Sequence, residues 1–162
     1  MRAGKHWATF TSSSELQNYQ YFGLNVGVIR PLQGWGTRGL NYFSLVDQTF
    51  LQDLQGERTD RWEGDVQYCR LNMTDGSCRW SDWTGELYAK AANWRGRDDY
   101  DRDCRTLGML LDLGEGTISL YQKGRRLGTL KDGLAGEYCW IAGPGVWGDQ
   151  GVSIRRGFGS TL

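Results

Sequence analysis

The densest group of chemically competent side chains is RDDYDRDCR, which places Asp98, Asp99, Asp101 and Asp103 within six residues. Hard oxygen donors at this spacing can hold calcium, and TDGSCRWSD adds Asp75 and Asp82. Neither stretch, however, has the closing bidentate glutamate of a calcium loop. The expectation is a solvated acidic loop neutralised by Arg97, Arg102 and Arg105, with no metal. GWGTRG, Gly34 to Gly39, satisfies the spacing G-x-G-x-x-G and is followed by Asp53, as a dinucleotide-binding turn would be. That fingerprint needs a buried parallel strand feeding a helix, whereas the pattern before it is one-sided and Pro31 intervenes. A glycine-rich loop bearing Trp35 is expected instead, and no cofactor. His6 is the only histidine. It falls in a strand-like pattern, and no G-x-S-x-G elbow accompanies it, so nucleophilic acyl transfer has little to work with. A paired-carboxylate glycosidase is a further enzymatic possibility, for which the sequence supplies no carboxylate separation.

These groups must be positioned by a chain of 162 residues, 39% of them apolar, which suits one domain with a real core, spanning 1–162. Lys plus Arg and Asp plus Glu both number 19, so no net field favours nucleic acid or an anionic membrane. No window approaches the roughly 18 apolar residues of a membrane helix, and MRAGKHWATFTSSS lacks a secretory apolar core. The compartment expected is cytoplasmic, with the nucleus as the alternative. Cys69, Cys78, Cys104 and Cys139 contain no C-x-x-C pair and are expected reduced and mostly buried. A Cys69–Cys78 bridge is the alternative in an oxidising compartment.

Twenty-four glycines, two prolines, eight tryptophans and eight tyrosines describe a chain that turns often and packs aromatics on sheets. In YFGLNVGVIR, Phe22, Leu24, Val26 and Val28 alternate with Gly23, Asn25 and Gly27, a strand with one buried face. KHWATFT alternates too, and SSSELQNYQ would join the two as antiparallel neighbours. Leu107, Met109, Leu111 and Leu113 line one face of a strand, GEG turns the chain, Ile118 and Leu120 return, and QKGR turns it into RLGTL. YCWIAGPGVW and GVSIRR supply two more strands. The spacing predicts an all-β, antiparallel β-sandwich. Residues 34–105 read as an extended variable-loop region holding a short strand or helix, and Trp62, Trp80, Trp83 and Trp94 imply that it packs on the sandwich.

The order GKHWATF, FGLNVGVIRP, LGMLLDLGEGTISLYQKGRRLG and GVWGDQGVSIR resembles the SPRY domain. Residues 1–32 and 106–157 carry the likeness; the strands that usually precede the Gly-x-His-x-Trp segment have no counterpart before it. The resemblance implies a bent, concanavalin-like sandwich that binds a protein or peptide through loops at one end, without catalysis. VWG followed by a V-x-I-R strand is most similar to the SPRY and SOCS-box proteins, whose Val-Trp-Gly loop lines a peptide pocket. It implies Val146, Trp147 and Gly148 as contacts, with Tyr88 in GELYAKA as a pocket tyrosine. No SOCS box is expected within these 162 residues. From the residues themselves, Trp147 between Gly145 and Gly148 is either a rigid binding face or a core plug. Arg30, ending its strand, is either a polar rim contact or a solvated strand end, and Trp35 in its glycine-rich loop is a further candidate partner contact. The expected function is recognition of a short segment of a partner protein, as the recognition part of a larger adaptor. A carbohydrate-binding, lectin-like sandwich is the alternative.

Overall fold

The computed structural model describes residues 1–13, 23–34, 36–38, 48–84, 90–144 and 151–157. Ten strands and one α-helix follow in chain order among these residues: β1 (Lys5–Ser12), β2 (Leu24–Ile29), α1 (Gln48–Gly56), β3 (Tyr68–Asn72), β4 (Cys78–Ser81), β5 (Lys90–Ala92), β6 (Thr106–Asp112), β7 (Thr117–Gln122), β8 (Arg125–Lys131), β9 (Cys139–Pro144) and β10 (Val152–Arg156). They form two antiparallel five-stranded sheets, ordered β10-β1-β6-β7-β8 and β5-β4-β3-β2-β9. The sandwich and the β6-β7-β8 meander expected from the alternation are present. The β7–β8 turn is closed by Lys123 (φ 49°) and Gly124 (φ 73°), the paired positive angles of a type I′ hairpin that matches strand twist.

Two expectations change. β1 and β2 are not neighbours: β1 lies between β6 and β10 in one sheet, and β2 between β3 and β9 in the other. Alternation tells which residues of a strand share a face but carries no information about its partner. Moreover, β2 is buried throughout its length instead of on one face. Val26 and Val28 enter the core between the sheets, while Ile29 joins Leu51, Leu54, Trp62, Tyr68 and Trp83 in a second cluster on the outer side. The helix supplies that cover. Leu51 and Leu54 are one turn apart and buried, whereas Gln52, Asp53 and Gln55 are exposed, the stripe that packs a helix on a sheet.

The stretch read as variable loops therefore contains α1 and three strands, β3 to β5, of the second sheet. Strands of three to five residues show too few alternations to stand out in sequence. The packing expected of the tryptophans holds: Trp62, Trp83 and Trp94 are buried, and the Trp94 indole donates to the Gly76 carbonyl at 3.0 Å. GWGTRG follows β2, which is antiparallel to both neighbours, so the parallel-strand setting of a dinucleotide turn is absent there.

The sheets are offset by one strand. Phe10 of β1 meets Trp140 of β9 edge-to-face with ring centroids 5.8 Å apart, and the Cys78 thiol of β4 lies 4.0 Å from the Leu130 carbonyl of β8. With β1 over β9 and β8 over β4, β10 overhangs one side and β5 the other.

The four cysteines are free thiols, with the Cys69 and Cys78 sulfurs 3.7 Å apart inside the core. The hydrogen bond to Cys78, together with burial, raises the Cys69 thiol well above its usual range, and burial raises Cys139. A thiol reagent at neutral pH is expected to label half-buried Cys104 first and Cys139 more slowly. Cys69 and Cys78 should react only at the rate of unfolding. Mass spectrometry of labelled peptides reads the order, and early labelling of Cys69 would contradict the core placement.

Candidate partner-binding surface

Arg30 follows β2 and has no exposed surface, so it is neither a rim contact nor a solvated strand end. Its Nε donates to Gln67 Oε1 (2.8 Å), and Nη1 donates to the carbonyls of Ala135 (2.7 Å) and Glu137 (3.1 Å). Nη2 donates to the Glu63 carbonyl. The guanidinium also lies 4.2 Å over the Tyr138 ring. Burial lowers its pKa, which the Tyr138 ring opposes, and burial pushes the Tyr138 phenol up to about 12. The planar fork thereby ties the 63–67 and 135–138 segments to the end of β2, a geometry that a lysine could not reproduce. Its charge in an extended sequence pattern suggested solvent; only the convergence of carbonyls from distant segments explains the burial.

Strand register decides which other expected residues share an end of the sandwich. Ile29 pairs with Cys139 and Leu24 with Pro144, so Arg30 and Pro144 lie at opposite ends of β9, roughly 20 Å apart at about 3.4 Å per residue. Val146, Trp147 and Gly148 lie outside the described residues, but both flanks are placed. β9 enters at Pro144, and at Gly151 the chain resumes, where the Ser13 amide donates to the Gly151 carbonyl and the Gly151 amide to Ser13 Oγ, each 2.9 Å. Tyr88 and Trp35 are likewise outside the described residues. β4 leaves its sheet at Ser81, paired with Tyr68, and β2 leaves at Arg30, both at the Arg30 end. The flanks of the expected contacts thus divide between two ends.

Two surface depressions lie at the edges of the two sheets, as formed by the described residues. At one, a cleft of about 550 Å³ runs between the start of β9 and the end of β10, with Trp7, Tyr138 and Trp140 as apolar walls, Lys5 and Arg156 as cationic ones, and His6 beside them. The His6 Nε2–H donates to the Ala3 carbonyl at 2.7 Å. At the other edge, Trp80 of β4 lies under the ammonium groups of Lys131 (4.7 Å) and Lys90 (5.1 Å), beside a groove of about 560 Å³ that Arg95 and Arg126 also line. Neither is visible in the sequence, because each brings together segments distant along the chain, residues 1–7 with 138–157 in the first and 80–95 with 126–132 in the second.

The acidic stretch is a short 3-10 turn, Arg97–Asp99, and its continuation. Asp101 pairs with Lys123 at 2.6 Å and Asp99 with Arg125 at 3.7 Å, so two of its carboxylates meet cations of the β7–β8 hairpin from outside the segment. The Lys123 ammonium holds the Asp101 carboxyl below the usual range. Among the described residues no three His, Cys, Asp or Glu groups converge as metal ligands would. No described helix is long and apolar enough to cross a membrane.

The architecture is that of a SPRY-like β-sandwich. Among solved structures, the chain is similar to the crystal structure of the TRIM65 PSpry domain, with a TM-score of 0.53 and 14% sequence identity. The match covers 96% of this chain and 66% of that one, so the chain spans slightly less than two thirds of its neighbour's length. No family model and no curated protein matches it by sequence.

Proposed function

We propose that the chain is a protein-interaction module that recognises a short extended segment of a partner through the loop carrying Val146, Trp147 and Gly148. It would act in the cytoplasm or nucleus as the recognition part of a larger adaptor, as in the SPRY and SOCS-box proteins that this motif resembles. The observation that carries this reading is the SPRY-like sandwich itself, which has β9 and β10 holding both flanks of that loop. A rigid frame with a short glycine-flanked tryptophan segment between its strands suits binding: the indole offers a large apolar face at small conformational cost. Arg30 drops out of the contact set because its donors are already committed inside the fold. Trp35 and Tyr88 become secondary, since their flanks leave the sandwich at the other end.

Peptide-array binding of the wild type beside Trp147→Ala tests the reading, after circular dichroism has established that both are folded. Sequence-selective binding weakened by about 2 kcal/mol, roughly 30-fold, in a folded variant is the expected result. Binding indifferent to Trp147 defeats the assignment of the loop, and a glycan array bound where peptides are not would favour a lectin instead. Loss of folding in the variant would make Trp147 a core plug, with a stability penalty of about 3–5 kcal/mol.

A further inference from the structure

We propose that the groove between β5 and β8 is a second docking site, which takes an extended acidic segment of a partner protein. It lies on the side of the sandwich opposite β9 and β10, and so apart from the loop that joins them.

The backbone fixes its geometry. β8 ends one sheet on this side and β5 the other, and the walls of the groove are residues 126–132 and 92–95, with Trp80 of β4 at one end. Both walls belong to continuous described stretches, 48–84 and 90–144, distant from either end of the sequence. Away from Trp80 the two walls meet backbone to backbone. A β-carbon on Gly128 would run into the Arg95 carbonyl oxygen, and one on Gly96 into that of Leu127. Gly96 also holds φ at 100°, which glycine alone adopts freely. Next to it, the buried Trp94 indole is anchored to the Gly76 carbonyl at 3.0 Å. Arg95 is thus carried by a backbone held on both sides, and Arg126 stands on the other wall.

The charge of these two arginines is uncompensated. Both are exposed. Arg126 Nη2 donates to Ser119 Oγ (3.1 Å) and Thr129 Oγ1 (2.7 Å), neutral hydroxyls that orient the guanidinium without cancelling its charge. The Arg95 side chain has no hydrogen-bond or ion-pair partner among the described residues. The cations at the Trp80 end differ. Lys90 pairs with Asp82 at 2.6 Å and Lys131 with Asp132 at 2.8 Å, while both ammonium groups lie over the indole. Attraction for an anion is therefore concentrated at Arg95 and Arg126, whose planar forks match carboxylates.

The remaining surface selects the kind of anion. Ala92 and Leu127, half-buried against the core, supply apolar floor between the arginines and Trp80. A continuous polyanion such as nucleic acid is a poor occupant, because exposed Asp132 stands at the Trp80 end and the chain has no net positive charge. A protein segment with discrete carboxylates at one end and an apolar side chain at the other satisfies both halves of the groove.

The test uses two capped peptides, acetyl-Thr-Leu-Thr-Glu-Thr-Glu-amide and the same sequence with lysine for both glutamates, titrated into the isotope-labelled chain and followed by amide shifts. In an extended peptide the leucine and both glutamates share one side. The glutamate peptide is expected to move the Arg95, Gly96, Leu127 and Gly128 amides and to bind about tenfold more tightly than the lysine peptide. Arg95→Gln or Arg126→Gln alone should weaken it about threefold. The double variant Arg95→Glu, Arg126→Glu should invert the preference, a change that no loss of folding can mimic. The proposal is overturned if neither peptide moves these amides, if both bind equally, or if the double variant keeps the wild-type preference. A short single-stranded oligonucleotide that binds these residues more tightly than the glutamate peptide overturns it as well. So does self-association, read by light scattering, that the double variant abolishes, since the occupant would then be a second copy of this chain. None of these readouts involves Trp147, so failure here leaves the loop reading standing, and the reverse.

Discussion

Arg30→Ala is expected to lower the stability of the domain by about 3–5 kcal/mol, the cost of breaking a buried charged network by removing one partner. Four acceptors converge on this guanidinium: Gln67 Oε1 and the carbonyls of Glu63, Ala135 and Glu137. Truncation deprives each of its donor, and a buried acceptor left without a partner costs about 1–3 kcal/mol unless water replaces it. It also removes the cation from the Tyr138 ring, 4.2 Å away, so the 135–138 segment loses its tie to β2. The charge has no carboxylate among these contacts; carbonyl dipoles and a ring face hold it, which is a task for a planar five-donor group. Arg30→Lys should therefore recover less than half of the loss. Urea unfolding followed by tryptophan fluorescence measures both. A midpoint for Arg30→Ala within experimental error of the wild type would show that the network carries no net stability. Peptide binding by any Arg30 variant that stays folded should be unchanged, because the residue reaches no surface.

Gly27→Ala should cost at least about 3 kcal/mol, at the upper end of what overpacking a core does. A β-carbon at this position would sit 2.0 Å from the Cys69 carbonyl oxygen and 2.8 Å from the Arg70 α-carbon. Both are backbone atoms, and β2 is held between β3 and β9, so relief requires moving a paired strand instead of turning a side chain. Two other glycines calibrate the effect. At Gly108 the new carbon would meet the Trp7 ring, 2.2 Å from its nearest atom, and that indole lies on the outer face where it can swing aside. At Gly143 nothing lies within 4 Å. The series Gly27→Ala, Gly108→Ala, Gly143→Ala should accordingly fall from largest to smallest loss, with the last within about 1 kcal/mol of the wild type in either direction. Equal losses at Gly27 and Gly143 would mean that β2 and β3 are not packed in this register.

Much of the frame was legible along the chain. The alternation of Leu107, Met109, Leu111 and Leu113 and the return through Ile118 and Leu120 predict buried faces; five of the six are fully buried, while Leu113, just past the end of β6, is half-buried against the core. The order of glycine-rich turns located the meander because each strand there is seven residues or close to it, long enough for a two-residue period to repeat. β3, β4 and β5 were not recognised as strands. In β3 both faces are covered, by the core and by the cluster under α1, so Tyr68, Cys69 and Leu71 are buried without alternating. The candidate site was less legible than the fold. Of its six expected residues only Arg30 lies among the described ones, and its place is interior.

What the sequence determined by itself is therefore local: which segments extend, which side of each faces the core, and where the chain turns. Those properties follow from side-chain period and turn chemistry within about ten residues. Tertiary structure alone decided that consecutive β1 and β2 belong to different sheets and that Arg30 is held by carbonyls from Glu63 to Glu137. It also decided that, among the described residues, the sheets are offset by one strand, so that Arg156 of β10 and Trp140 of β9 line one cleft. Each of these depends on which distant strand supplies the hydrogen-bonding partner. The backbone groups that make that choice are the same in every residue but proline, and so leave no trace in the side-chain pattern.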